Sequence, residues 1–214
     1  WGLQYALSES VGMFAIALWD RKKNMLQLAR DRMGEKPLFY GWQSGTLFFA
    51  SELKALYPHK AFKKDISSDA LQLFLRFGYV PAPLSIWKNI FKLSQGCVVG
   101  FKKADLNRYP SPKPYWELKN VVRSKAKENF NPTDKGAIDR LEKKLIEGIS
   151  LQMQADVPVG GFLSGGIDSS LVSALMQQIS QKPINTFTIG FDDCEYNEAE
   201  HAKEVAEHLQ TNHT

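Results

Sequence analysis

Residues 159–170 read VGGFLSGGIDSS, and no other stretch restricts the fold as tightly. An apolar run closes at Leu163 and breaks on Ser164, Gly165 and Gly166. From Asp168 onward the apolar residues recur at helical spacing. The pattern predicts a strand over 159–163, a tight loop SGGID, and a helix from 169 to about 180 with its N-terminus near Asp168. A second strand is predicted in NTFTIGF and a second helix over about 197–209. Strands alternating with helices imply a parallel sheet with helices on its faces. Two strands leave such a sheet unfinished. The closing TNHT stands where another strand could begin, so the rest of the sheet is expected beyond Thr214.

In such a sheet the SGGID loop lies at the carboxyl edge, where open α/β folds bind ligands. Gly165 and Gly166 carry no Cβ, so the backbone is free to take unusual torsions and approach a ligand closely. The helix start adds unpaired N–H groups and the positive end of a dipole, and Ser164, Ser169 and Ser170 add hydroxyl donors. That set suits a phosphate or pyrophosphate. A bare carboxylate at Asp168 would repel one unless a cation intervened, and Mg²⁺ is the natural choice. The competing reading of Asp168 is an ordinary helix N-cap. The letters exclude other nucleotide loops: after Gly161 and Gly166 comes Ile167 rather than the lysine of a Walker loop, there is no G-x-G-x-x-G, and Ser164 is not in G-x-S-x-G.

Upstream, residues 11–51 read as antiparallel β structure. GMFAIALWD suits a buried strand, DRKKN a polar turn and MLQLAR a strand with looser alternation. PLFYGW and TLFFAS form a hairpin around Gln43, Ser44 and Gly45. The intervening RDRMGEKP has the composition of an exposed connector. Ser67 or Ser68 caps a helix that places Leu71, Phe74, Leu75 and Phe77 on one face and ends at Gly78. A further strand falls on GCVVGF, where Cys97 reads as a small buried hydrophobe rather than half of a disulfide with Cys194. Four prolines at 110, 112, 114 and 132, many lysines and little periodicity mark a linker over 108–133. Beyond it, Thr133 or Asp134 caps a long amphipathic helix carrying Ile138, Leu141, Leu145, Ile149 and Met153. The domains are therefore drawn as 1–107 and 134–214, an α+β region followed by an α/β one.

A net charge of +4 over 214 residues is too mild for a nucleic-acid footprint, and the lysines around 119–127 read as a solvated face. No apolar stretch reaches the roughly 20 residues of a membrane span, and WGLQYALSES lacks the features of a signal peptide. A cytoplasmic setting follows as the default. His201 and His208 stand seven apart, not at the i, i+4 spacing of a helical metal pair, and His59 and His213 offer nothing better.

SGGIDSS after an apolar strand resembles the pyrophosphate loop of the ATP pyrophosphatase superfamily in the form found in glutamine-hydrolysing asparagine synthetases. GMFAIALWD, ARDRMGEKPLFYG, FASELKAL, FGYVPAPLSIWKNIFKL and TFTIGFDDCEYNEAEHAKEVAEHL are similar to segments of that family, in its order. The resemblance runs over nearly all of the chain. It implies part of an Ntn-type αββα glutaminase domain joined to the opening of a doubly wound ATP pyrophosphatase domain. It also implies a reaction in which ATP adenylates the side-chain carboxylate of aspartate, pyrophosphate leaves, and ammonia from glutamine displaces AMP to give asparagine. By position, Ser164, Gly165, Gly166, Ser169 and Ser170 would hold the pyrophosphate, Asp168 its Mg²⁺, and Leu163 and Ile189 the adenosine. For Ile189 core packing is the competing reading.

The family's glutaminase nucleophile is an amino-terminal cysteine whose own α-amino group acts as base. Trp1 is not that residue and neither Cys97 nor Cys194 replaces it, so no catalytic residue is assigned in this part. RDRMGEKPLFYG receives a structural role. Both ends read as cut from a longer chain, which on its own is expected to hydrolyse no glutamine and make no asparagine. Two rivals stay open: a relative that amidates or cyclises another carboxylate, such as a sugar acid or a β-lactam precursor, and an RNA-modifying ATP pyrophosphatase. A homodimer is left open too.

Overall fold

The computed structural model describes residues 1–126, 135–191 and 197–214, and it divides into two compact units, Trp1–Glu128 and Asn129–Thr214. In the first unit the elements are α1 (Leu3–Glu9), β1 (Ala15–Asp20), β2 (Met25–Arg30), β3 (Phe39–Gln43), β4 (Thr46–Ala50), α2 (Ser68–Phe77), β5 (Ile90–Lys92), β6 (Cys97–Lys102), β7 (Lys113–Pro114) and α3 (Leu118–Lys125). They build two antiparallel sheets, ordered β1-β2-β6-β7 and β4-β3-β5. The expected hairpin closes through a two-residue turn in which Ser44 and Gly45 both have positive φ, 49° and 74°. That turn matches the right-handed twist of its strands.

Leu28, Val99 and Phe101 from one sheet and Tyr40 from the other meet in one core that also takes in Leu38, Leu93 and Cys97. Phe48, Leu56 and Ile90 centre a second cluster with Phe39, Phe62 and Trp87. Cys97 is a free thiol, buried as expected, and burial pushes its pKa up.

The charged stretch 30–37 is anything but a loose connector. Asp31, 1% exposed, accepts the N–H groups of Lys36 at 2.8 Å, Glu35 at 2.9 Å and Phe14 at 3.3 Å. Burial alone would push this carboxyl up, but the N–H groups of Lys36, Glu35, Phe14 and Gly34 outweigh it and hold it below its ordinary value. The Arg30 guanidinium donates to the carbonyls of Lys36 and Leu93, both at 2.8 Å, and to that of Gly34. The charges here stitch backbone together, which supports the structural role.

Three features of this unit go beyond or against what the sequence suggests. The opening residues, for which no element was predicted, form the helix α1. Helix α2 has its Ser67 cap and a left-handed Gly78 stop as expected, yet it buries only Ala70, and Leu71, Phe74, Leu75 and Phe77 are 41–76% exposed. Residues 108–126 are not a featureless connector. Pro114 and Lys113 pair with Cys97 and Val98, the Tyr115 hydroxyl donates to the Arg30 carbonyl at 2.9 Å, and α3 follows. Proline removes a donor but leaves its neighbours free to pair at a sheet edge, which is where β7 lies.

The second unit holds α4 (Lys135–Gln152), β8 (Gly160–Phe162), α5 (Ile167–Ile179), β9 (Asn185–Phe187), α6 (Ala199–Leu209) and β10 (Asn212–His213). Its sheet is parallel, ordered β10-β9-β8, and TNHT supplies the third strand. The cap expected for α4 lies outside the described residues. Its Ile138 and Leu141 are exposed where a continuous buried face was predicted, and of the five only Leu145, Ile149 and Met153 are half-buried. Leu163, Ala202 and Ala206 form the core beneath the loop, with Val205 against them. The fold is thus a mixed one, antiparallel sheets followed by a parallel α/β unit.

Candidate functional site

The loop starts where β8 ends. Leu163 is 1% exposed; its N–H donates to the Phe187 carbonyl at 2.9 Å and its carbonyl accepts the Thr188 hydroxyl. With the strand end fixed by β9, the chain reverses at Gly165, φ +76°, a left-handed torsion that glycine adopts without strain. A Cβ there would sit 2.8 Å from the His201 Cβ and 3.1 Å from the Ala202 nitrogen, so the loop lies too close to α6 at this glycine for a side chain. Gly166 differs from the expectation: its φ is −71°, it serves as N-cap of α5, and an added Cβ would meet only the Ser164 hydroxyl at 3.4 Å. Only one of the two glycines is required by torsion.

The serines split into two groups. Ser164 and Ser169 have hydroxyls 3.0 Å apart, the Ser164 N–H donates to the Ser169 hydroxyl at 3.2 Å, and that hydroxyl reaches the Gly166 carbonyl at 3.1 Å. This pairing closes the loop on itself. The Ser170 hydroxyl is buried and has no partner among the described residues. Nor do the N–H groups of the five residues from Gly165 to Ser169 find an acceptor there. Successive unpaired amides at a helix start form a concave donor array suited to an anion.

Asp168 lies in the first turn of α5, exposed, and the cap position belongs to Gly166, so the N-cap reading of this carboxylate does not hold. Among the described residues no group of three or more His, Cys, Asp or Glu could hold a metal. A single exposed carboxylate beside an anion nest still fits Mg²⁺, which commonly takes one or two protein carboxylates and completes its shell with phosphates and water. Ile189 is 70% exposed, against the core-packing reading. The structure therefore brings Leu163, Ser164, Gly165, Gly166, Asp168, Ser169 and Ser170 into one turn, with Ile189 two residues beyond the strand that fixes it. Sequence reasoning missed Thr188 and His201. Thr188 stood beside Ile189 as a polar residue in an apolar strand; nothing local marked His201, because its contact with Gly165 spans 36 positions.

Comparison with known proteins places this geometry. Residues 1–116 match the model of the glutamine amidotransferase domain family, more than half of the chain, and the chain belongs to that family. Its other part, residues 140–214, matches the asparagine synthase model, so the SGGID turn falls in the synthase portion. A Methanocaldococcus jannaschii protein, named provisionally as a glutamine-hydrolyzing asparagine synthetase, is 35% identical over 97% of this chain and 39% of its own length. Glutamine-hydrolyzing asparagine synthetases 3 and 1 of Bacillus subtilis are each 31% identical, over 85% and 94% of this chain and 29% and 30% of their own lengths. The chain thus spans about two fifths of the first of these relatives and under a third of the other two.

Proposed function

We propose that this chain belongs to an ATP-dependent, glutamine-hydrolysing asparagine synthetase of the cytoplasm. Residues 1–107 would be its amidotransferase part and 134–214 the start of its synthetase part, with 108–133 between them. The reading rests on one observation above all: five consecutive amides, Gly165 to Ser169, unpaired among the described residues, beside the exposed carboxylate of Asp168. Aspartate's side-chain carboxylate attacks the α-phosphorus of ATP, the bond to the β-phosphate oxygen breaks, and pyrophosphate leaves. The amides of the loop and the Ser170 hydroxyl stabilise the charge that builds on the leaving group, as a fixed donor array does at little reorganisation cost. Ser164 and Ser169 hold the loop in that shape. Leu163 and Ile189 line the adenosine side. Asp168 would hold Mg²⁺, which supplies charge neutralisation along the phosphates when bound.

The assay is calorimetric titration of the 214-residue chain with ATP, with and without magnesium, and with pyrophosphate as competitor. Asp168→Ala is expected to abolish the magnesium-dependent part of the affinity and to leave the circular dichroism spectrum unchanged. No binding of ATP or pyrophosphate by the folded chain would overturn the reading. The acceptor is decided separately, by supplying the complete protein with aspartate or another carboxylic acid and following AMP and amide.

A further inference from the structure

The first unit contains a cleft of about 710 Å³ that the loop chemistry above does not use. Its walls come from four separate parts of the sequence: the charged turn at Arg32 and Met33, Ala82, the approach to β6 at Ser94 and Gln95, and the segment from Pro114 to Lys119 that enters α3. The volume is that of a site for a small organic molecule rather than a lone ion.

We propose that this cleft binds a monoanionic organic carboxylate with an apolar or aromatic body. The Arg32 guanidinium makes one hydrogen bond among the described residues, from Nη2 to the Ser8 carbonyl at 2.6 Å, while its Nε is buried with no acceptor. Among the described residues no carboxylate pairs with this guanidinium and its Nη1 has no acceptor, so its charge and those donors are left for an anion in the cleft. The planar fork of a guanidinium fits a carboxylate through two parallel N–H donors. A second positive contribution comes from α3, whose N-cap Glu117 makes no side-chain cap bond, so the Leu118 and Lys119 amides find no acceptor among the described residues at the helix start. The Lys119 side chain adds a full charge at the rim.

Glu117 also lines the cleft, its carboxylate held by the Asn120 side chain at 2.8 Å. One acid against two cations leaves room for a single negative charge and disfavours phosphate or a dicarboxylate. Trp116 and Met33 provide the apolar surface for the body of the ligand. Ser94 and Gln95 provide hydrogen bonds for a further polar group.

The test uses the 214-residue chain and calorimetric titration with sodium benzoate, its neutral analogue benzamide, and inorganic phosphate, at constant ionic strength. Benzoate is expected to bind at least about tenfold more tightly than benzamide, the worth of one charge-assisted contact, and phosphate no more tightly than benzamide. Arg32→Gln is expected to remove that discrimination, and Lys119→Ala to weaken benzoate by a few-fold, more at low salt than at high. Absence of saturable benzoate binding, equal affinity for benzoate and benzamide, or tighter binding of phosphate would each overturn the proposal. Because Arg32 also steadies α1 through Ser8, the benzoate to benzamide ratio of the unaltered chain decides the matter even if Arg32→Gln fails to fold. Failure of ATP binding by the SGGID loop would leave these measurements untouched.

Discussion

Replacing Gly165 by alanine tests how the SGGID turn is held. Two separate costs apply. The torsion of +76° places an L-residue in the left-handed region, about 1–2 kcal/mol. The new methyl then lands 2.8 Å from the His201 Cβ and 3.1 Å from both the Ala202 nitrogen and the His201 carbonyl carbon. Those atoms belong to the frame of α6 and cannot rotate aside, so the loop or the helix must shift, for about another 1–3 kcal/mol. The sum, about 2–5 kcal/mol, is a large share of what holds a small unit together. All five tryptophans lie at or before position 116, so fluorescence is blind to the second unit. Amide hydrogen exchange in α5 and α6 reports it directly, and protection there is expected to fall by about 30-fold or more. Gly166→Ala is the control, since its φ of −71° is ordinary and its Cβ meets only a hydroxyl at 3.4 Å; a change below about threefold is expected. Equal effects of the two substitutions would refute the argument that torsion and close approach, rather than glycine content, set the stability of the loop.

Asp31→Asn puts an amide against N–H groups that now meet a carboxylate, and should cost the first unit about 2–3 kcal/mol in urea unfolding followed by tryptophan fluorescence. Since the Asp31 carboxyl is held below its ordinary 3.8, its contribution is present above that pH and is lost as pH falls through the folded value; the variant should lack this part of the acid sensitivity. Thr186→Val removes a buried hydroxyl that lies 2.7 Å from that of Thr211 and 3.0 Å from the His213 Nδ1, and should cost about 1 kcal/mol, read as faster exchange of the Asn212 and Thr214 amides. Cys97, buried and with its thiol pushed up, should resist alkylation in the folded chain and react once urea unfolds the first unit, as mapped by mass spectrometry.

What could be foreseen followed from local physics. Alternation and a turn-forming Ser-Gly pair gave the hairpin, and a strand, two glycines and a helical repeat gave the strand-turn-helix around SGGID and its parallel setting. The same periodicity marked an apolar face on α2 and on α4 but says nothing of what covers it, and much of both faces is exposed. Composition misled at 30–37, because charged side chains that satisfy buried backbone look the same in sequence as those that face water. It misled again at 108–126, where β7 and Tyr115 find partners as far as 85 positions away. Which of the two loop glycines needed its torsion, and that Gly165 leans on His201, depended on how α6 returns to the loop.

Gly96 shows what such distant pairing entails. Its N–H reaches the Asp31 carbonyl at 2.8 Å, its own carbonyl takes the N–H groups of Tyr115 and Trp116 at 2.8 and 3.2 Å, and a methyl here would stand 2.3 Å from the Trp116 oxygen. Three stretches of chain are clasped at one atom group, and they are three of the four that wall the cleft beside Arg32. A guest entering there meets a mould already set, so little of its binding energy is diverted into organising the host.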